Sequence, residues 1–436
     1  MSNLTADSVV VNLFNTMLSD FRSTNKNFRT NVPRLHRQNV AEVREKLANF
    51  EPGMSLDVYR YKCHAQIAGF LKRWVFRGSD LFTAEERKRM TMDKYLETQE
   101  RLAKHREYPL RAHFVLQRAR KIARDILGDY AVDEHVRSSH FGRKASIGCP
   151  LQSAYLDYKF TEAKAYTGSE VVSRWFYKYV LPGDDILSQA LHIAGKNPVR
   201  IDALRLNQVA KSYKMNRIIT PLPLLDLFYS NGLGKMVAER LSAKGLDIAR
   251  LQQRHRWLVK MESKKRRLAT ADLSSASDSL TSRLLNAVLP REWYTVLKPL
   301  FMRNVLYNEA IIYTESVLPM GNGATFPVET LVFYSLLCAI RELSHIHGLI
   351  SVYGDDLIYP SKMHGYVLRV FEDIGLIMNQ DKTFVSVPFR ESCGADYYKG
   401  WDVRPYAPET EQTRTRTQML GFLYKLWNGL REHWEY

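Results

Sequence analysis

The segment Leu349-Ile-Ser-Val-Tyr353-Gly354-Asp355-Asp356-Leu-Ile-Tyr-Pro360 constrains this chain more than any other feature. Two short runs rich in Ile, Val, Leu and Tyr are separated by Gly-Asp, the turn chemistry of a tight β-hairpin. The hairpin tip is then acidic. Adjacent carboxylates repel one another, so a structural role serves them badly, whereas a divalent cation neutralises them through hard oxygen ligands. An exposed Asp-Asp turn is the plainer alternative.

Eighty-three residues before Asp355 stands Asp272, inside Leu268-Ala-Thr-Ala-Asp272-Leu-Ser-Ser-Ala-Ser-Asp278-Ser. The apolar lead-in reads as a short buried strand, and the Ser/Ala/Asp cluster reads as a turn capping a helix over Leu280–Leu289. A carboxylate at the carboxyl end of a buried strand suits a metal-phosphate site, although Asp and Ser are also ordinary caps. Between the two acidic sites lies Met320-Gly-Asn-Gly-Ala-Thr-Phe-Pro327, a glycine loop. The helix after it keeps Val328, Leu331, Val332, Ser335, Leu336, Ala339, Ile340 and Leu343 at helical spacing. Glycines there allow backbone to approach a ribose or phosphate closely.

The chain has 436 residues, enough for two or three subdomains sharing a core, and 45% hydrophobic with 25% charged residues excludes a largely disordered chain. Lys+Arg 63 against Asp+Glu 46 gives +17, a surplus that points to a polyanion, nucleic acid first. No stretch reaches eighteen apolar residues, so no membrane span is expected. The first basic residue, Arg22, follows Asp7, which is not the pattern of a secretory signal. Four scattered cysteines without a Cys-x-x-Cys pair indicate neither a disulfide framework nor a zinc ribbon, and a reducing cytosol fits. His345 and His347 lack a third ligand nearby and read as loop histidines. The absence of Gly-x-x-x-x-Gly-Lys-[Ser/Thr] removes support for a P-loop ATPase.

Two cationic concentrations stand out. Arg101–Asp125 holds eight Lys/Arg against two acids and includes a helix, Val115–Leu127, with Val115, Ala119, Ile122, Ala123 and Ile126 on one apolar stripe. Arg254–Arg267 holds seven against Glu262 alone and runs into the Asp272 strand. Each is either a phosphate-contacting surface or a solvated helix face.

Together these residues resemble the replicases, the RNA-directed RNA polymerase subunits, of single-stranded RNA bacteriophages of the levivirus type, over roughly Lys211 to Tyr406. The Asp272 segment resembles motif A, Met320–Phe326 motif B and Val352–Asp356 motif C. Asn379-Gln-Asp-Lys-Thr-Phe384 and Pro388-Phe-Arg-Glu-Ser-Cys-Gly394 resemble motifs D and E, in the same order. Lys211-Ser-Tyr-Lys214-Met-Asn-Arg217-Ile-Ile-Thr-Pro221 resembles motif F, with Thr220 where the family pattern generally has glutamate.

The resemblance implies an α+β right-hand polymerase with an antiparallel palm sheet carrying motifs A and C. Residues 1–200 would be a mainly helical, fingers-associated region, 201–267 fingers with motif F, 268–390 the palm, and 391–436 motif E and the start of a reduced or truncated thumb. Nucleotidyl transfer needs carboxylates that hold two cations. Asp272 and Asp355 are the expected bridging ligands, Asp356 a supporting one and the Leu273 carbonyl a further one, with magnesium the expected ion and manganese a substitute. Lys211, Lys214 and Arg217 would neutralise the incoming triphosphate. Asp278, Asn322 and Thr325 resemble ribose-reading positions, and Lys382 a general acid for pyrophosphate. Expected partners are RNA template and product, ribonucleoside triphosphates, host elongation factors Tu and Ts and a ribosomal small-subunit protein, in the bacterial cytoplasm. A reverse transcriptase and a non-catalytic RNA-binding or packaging protein are the rival readings.

Overall fold

The computed structural model describes residues 5–24, 31–50, 53–76, 78, 80–143, 145–155, 158, 159, 166–182, 189, 199–410, 413 and 415–433. The hairpin expected from sequence is present: Ser351–Tyr353 pairs antiparallel with Asp356–Pro360 around Gly354-Asp355. Gly354 sits at φ 60°, and a Cβ there would lie 2.4 Å from the Phe326 ring, so turn and packing both require glycine. Asp356–Pro360 is the middle strand of three, its other neighbour being Leu268–Ala271, with Leu357 opposite Ala271. The sheet carrying Asp272 and Asp355 is therefore antiparallel.

Its far edge is extended by Phe384, whose backbone exchanges hydrogen bonds of 2.8 and 3.0 Å with Thr270. Leu273–Ser274 pairs in turn with Ile377–Met378. A second hairpin, Phe389–Ser392 with Ala395–Tyr398, packs beside the sheet. Two buried cationic or titratable side chains tie these pieces together. The Arg390 guanidinium donates to the carbonyls of Leu268, Val385 and Val387. His255 bridges the hydroxyls of Ser351 and Ser392 at 2.9 and 2.8 Å, and burial lowers its pKa to about 4, which keeps the ring neutral.

Beneath the sheet runs the helix Thr325–Leu343, whose Val328, Leu331, Val332, Leu336, Ala339 and Ile340 are buried in the main core; Leu343, at its exposed end, is not. Leu110–Leu127 packs against it, longer at its start than the stripe alone implied because Pro109 provides the N-terminal boundary. Three of its five cations are engaged by protein. Arg111 grips Asp373 at 2.5 and 2.6 Å, Arg118 pairs with Glu342, and Arg120 donates to the carbonyls of Asn286 and Ala287. The helix expected over Leu280–Leu289 runs from Ser282 to Val288, because the Thr281 hydroxyl, not the Ser/Asp cluster, caps it by accepting from Leu284 N–H at 3.1 Å. The cluster itself forms a short 3₁₀ turn at Ser277–Ser279.

A separate apolar core joins the two ends of the chain. Val10, Phe14 and Leu18 of the first helix, Ile67 and Phe70 of Val58–Phe70, and Phe422 and Leu426 of Arg416–His433 bury against one another. Among the described residues, no helix is long and apolar enough to cross a membrane.

Candidate active site

The strand Leu268–Ala271 ends at Asp272, and the acidic hairpin brings Asp355 to it from the adjacent side, so both line a cavity of about 560 Å³. The two carboxyls face one another closely enough for the charge of Asp272 to act on Asp355. Burial, then the charges of Asp272 and Asp356, push the Asp355 carboxyl up to about 7. The turn is held beneath by the Gly354 N–H, which donates to the Thr330 hydroxyl at 2.9 Å.

Asp356 does not line this cavity. Its Oδ2 accepts the Cys393 N–H at 3.1 Å, and burial raises its carboxyl against that bond. Period-two alternation explains the split: one aspartate belongs to the turn and the next to a strand facing the neighbouring hairpin.

The opposite wall is cationic. Asn207–Ala210 and Asn216–Ile219 form a second hairpin, and Lys211 and Arg217 from it line the cavity. Lys211 stays accessible there, yet withdrawal from bulk water and repulsion by Arg217 and Lys382 lower its pKa, while Asp272 and Asp355 oppose that shift. Lys214 is not on this wall; it is exposed and lines a neighbouring cavity with Tyr213. At the Thr220 position the link to the glycine loop is made by backbone: Thr220 N–H donates to the Met320 carbonyl at 2.9 Å. A Cβ on Gly321, φ 124°, would lie 2.7 Å from the Thr220 carbonyl oxygen, and one on Gly323 2.1 Å from Asn231 Oδ1. Close approach of protein to protein is thus what these glycines permit.

Asp278, Asn322 and Thr325 all line the cavity. Burial pushes Asp278 up to about 7, with Lys211 and Lys94 opposing. Asn322 Oδ1 accepts the Ala324 N–H at 2.9 Å, but its buried Nδ2 has no partner among the described residues. The Thr325 hydroxyl is committed to the carbonyls of Leu318 and Pro319 at 3.2 and 3.0 Å. Lys382 lies 3.4 Å from both Asp272 and Glu391. Burial disfavours its charge, but Glu391, Asp272 and Asp356 outweigh that and raise its pKa. Asn379 completes the setting of Asp272, donating its backbone N–H to the Asp272 carbonyl at 2.8 Å and its amide to Oδ2 at 3.2 Å.

Several lining residues carry no signal in the sequence. Thr91, Lys94 and Tyr95 come from the helix Ala84–Lys104, more than a hundred residues before the basic hairpin, and belong to no motif. Glu329 is 5% exposed on the central helix, and burial followed by Asp355, Asp278 and Asp272 raises its carboxyl well above the usual range. Its one mark is that of a glutamate in the apolar stretch of the helix, far from the charged end at Arg341 and Glu342. Arg44, also buried, grips Asp80 at 2.5 and 2.9 Å and stacks its guanidinium 3.8 Å from the Tyr213 ring centroid, anchoring the loop of the basic hairpin to the N-terminal helices.

The architecture is that of viral RNA-dependent RNA polymerases: the chain aligns over 99% of its length with 81% of an insertion-loop deletion mutant of a human picorbirnavirus RNA-dependent RNA polymerase, TM-score 0.50, at 12% identity. The RNA replicase, beta-chain family model matches residues 79–435, and the chain belongs to that family. It is 32% identical over 299 residues to the RNA-directed RNA polymerase beta chain of Enterobacteria phage fr, covering 66% of this chain and 52% of that one. With the RNA-directed RNA polymerase subunit beta of Escherichia virus Qbeta it shares 33% identity over 296 residues, 66% of this chain and 47% of the relative. The chain thus spans about half the length of these relatives.

Proposed function

We propose that the chain is an RNA-directed RNA polymerase that copies a single-stranded RNA phage genome from ribonucleoside triphosphates. The observation that carries this reading is the meeting of Asp272 and Asp355 in one cavity with Lys211 and Arg217. Such an all-oxygen, mutually repelling donor pair fits hard divalent cations, magnesium first and manganese as a substitute. Asp272 and Asp355 would bridge two ions, with the Leu273 carbonyl as a further ligand and Asp356 supporting from the side. When bound, the ions supply activation of the attacking 3′-hydroxyl and charge stabilisation of the leaving pyrophosphate.

The chain's own residues do the rest. Lys211 and Arg217 hold the triphosphate from the wall facing the aspartates, while Lys214 faces the neighbouring cavity. Asp278 and Asn322 present groups suited to the ribose, with Thr325 shaping the loop beneath them. Lys382, protonated and next to Asp272, stands ready to give a proton to the departing pyrophosphate. The right-hand assignment follows, with residues 268–390 as palm, 201–267 and the region before it as fingers, and 391–436 opening the thumb. Host elongation factors Tu and Ts, a ribosomal small-subunit protein and the bacterial cytoplasm belong to the same proposal.

Extension of an RNA primer-template with magnesium and ribonucleotides tests it. The wild type should add ribonucleotides in preference to deoxyribonucleotides, and Asp355→Asn should lower the rate at least about 10²–10³-fold while RNA binding persists. Equal use of deoxyribonucleotides would favour a reverse transcriptase, and near wild-type extension by the variant would remove Asp355 from the reaction.

A further inference from the structure

Beside the catalytic cavity lies a second one, of about 420 Å³, into which Arg106, Arg283 and Arg303 converge from three separate segments. Its one acidic lining residue, Glu315, is already engaged with Arg303 at 3.6 Å. Three guanidiniums against one carboxylate leave an uncompensated surplus. Arg106 is exposed, and its side chain has no partner among the described residues. Arg283 donates to the Leu102 carbonyl at 3.3 Å and interacts with the Tyr108 hydroxyl, which leaves further donors of its five for a ligand. The one aromatic lining residue, Tyr294, packs edge-to-face with Phe301, and its hydroxyl bonds Ser282 at 2.8 Å. Guanidinium forks in surplus suit phosphate oxygens.

The position of this pocket is as informative as its charge. The wall between the two cavities is the stretch from Asp278 to Thr281 bonded to the strand leading into the glycine loop, with Thr281 paired to Ser316 and Val317 N–H donating to the Leu280 carbonyl at 3.0 Å. The helix Ala84–Lys104 lines both, through Tyr95 in the catalytic cavity and Ala103 in the second. Tyr95 and Ala103 are separated by about 12 Å at ~1.5 Å of rise per residue. At roughly 3.4 Å of axis per stacked nucleotide, that is about three to four nucleotides.

We propose that the Arg106–Arg283–Arg303 pocket binds the backbone phosphates of an RNA strand about three to four nucleotides from the Tyr95 side of the catalytic cavity. Guanidinium contacts to the backbone fix the strand's path. This rests on the polymerase reading, because it needs an RNA strand in the catalytic cavity.

Two series of primer-templates test it with the full chain, one lengthening the single-stranded template overhang and one lengthening the product duplex, one nucleotide at a time. In the wild type, affinity should step up when one of the strands reaches the pocket, and the series showing the step identifies the strand held. Arg106→Ala should shrink the step and Arg106→Glu abolish it, whereas Arg106→Lys should keep most of it. The slope of log affinity against log salt should flatten by about 0.7 for each phosphate that is no longer neutralised. Thermal melting checks folding of each variant, and Arg106, exposed and unpaired, is the least disruptive of the three to change. A full step and an unchanged salt slope in Arg106→Glu would overturn the pocket. Nucleotide addition by the wild type on the same RNAs tests the polymerase reading separately, so either can fail while the other stands.

Discussion

The acidic hairpin, Ser351–Pro360, is embedded in a three-stranded sheet, whereas the basic hairpin, Asn207–Ile219, is a two-stranded sheet of its own. Val352, Leu357, Ile358 and Tyr359 are completely buried; Asn207–Ala210 has no buried residue. The first can therefore hold like charges together, because backbone pairing, the Gly354–Thr330 bond and the central helix over-determine its turn. The second is marginal alone. It leans on a few bonds: Gln208 to the Lys88 carbonyl at 3.1 Å, Asn216 N–H to the Thr91 hydroxyl at 2.9 Å, and the Arg44–Tyr213 stack. A firmly held acidic floor faces cations on a lightly anchored arm, an arrangement that, on the proposed reading, would let the arm adjust to a triphosphate while the floor stays fixed.

The largest expected effect breaks the cationic side. Lys211→Ala should raise the nucleotide KM about 10–100-fold, since charged hydrogen bonds of this kind contribute about 1.5–3 kcal/mol, with kcat changed less. An unchanged KM in steady-state extension would move the triphosphate off this wall. On the acidic side, Gly354→Ala should cost about 1–3 kcal/mol of stability, because the new methyl meets Phe326 at a φ of 60°. Chemical denaturation measures this, and a variant as stable as wild type would show that the turn is not constrained as described. Tyr213→Ala should weaken the arm's anchorage by about 0.5–1 kcal/mol and raise the nucleotide KM a few-fold, with Tyr213→Leu no better and Tyr213→Phe restoring it. Equal KM values for all three would leave the stack without a role in positioning.

A smaller effect concerns pH. Asp355 and Asp278 have folded pKa values of about 7 against 3.8 for the free side chain, so the folded state holds their protons more tightly. Their contribution to stability is full below about 3.8 and is lost as pH rises through 7. His64, His135 and His255, lowered to about 4, act in the opposite sense, but only between about 4 and 6.5. Melting temperature without metal should therefore fall from pH 6.5 to 8. A rise across that window would contradict the burial of these carboxyls.

The acidic hairpin and its partner strand were legible in the sequence because their signals are local: a Gly-Asp turn between β-rich runs, and four apolar or small residues before Asp272. The second cation expected in the basic loop, Lys214, could not be assigned a wall from spacing, since the hairpin's twist decides which of Lys211 and Lys214 turns inward. The motif B glycines were legible as a close approach, but what approaches them, the Thr220 carbonyl and Asn231, is set by a distant strand and helix. Lys94, Arg44 and the Arg106 pocket were not legible. Each acquires its neighbours through contacts between segments tens to a few hundred residues apart, and nothing in the local pattern distinguishes such a cation from a solvated one.

The central claim is that the acidic floor is unfavourable by itself and is completed by a divalent cation. Thermal melting of wild type and Asp355→Asn at pH 8, with and without magnesium, tests it most directly. Without metal the variant should melt higher, because the neutral amide relieves repulsion by Asp272 and Asp356; magnesium should then raise the wild type and leave the variant nearly unmoved. A wild type that melts higher than the variant without metal, with magnesium shifting both alike, would contradict the account.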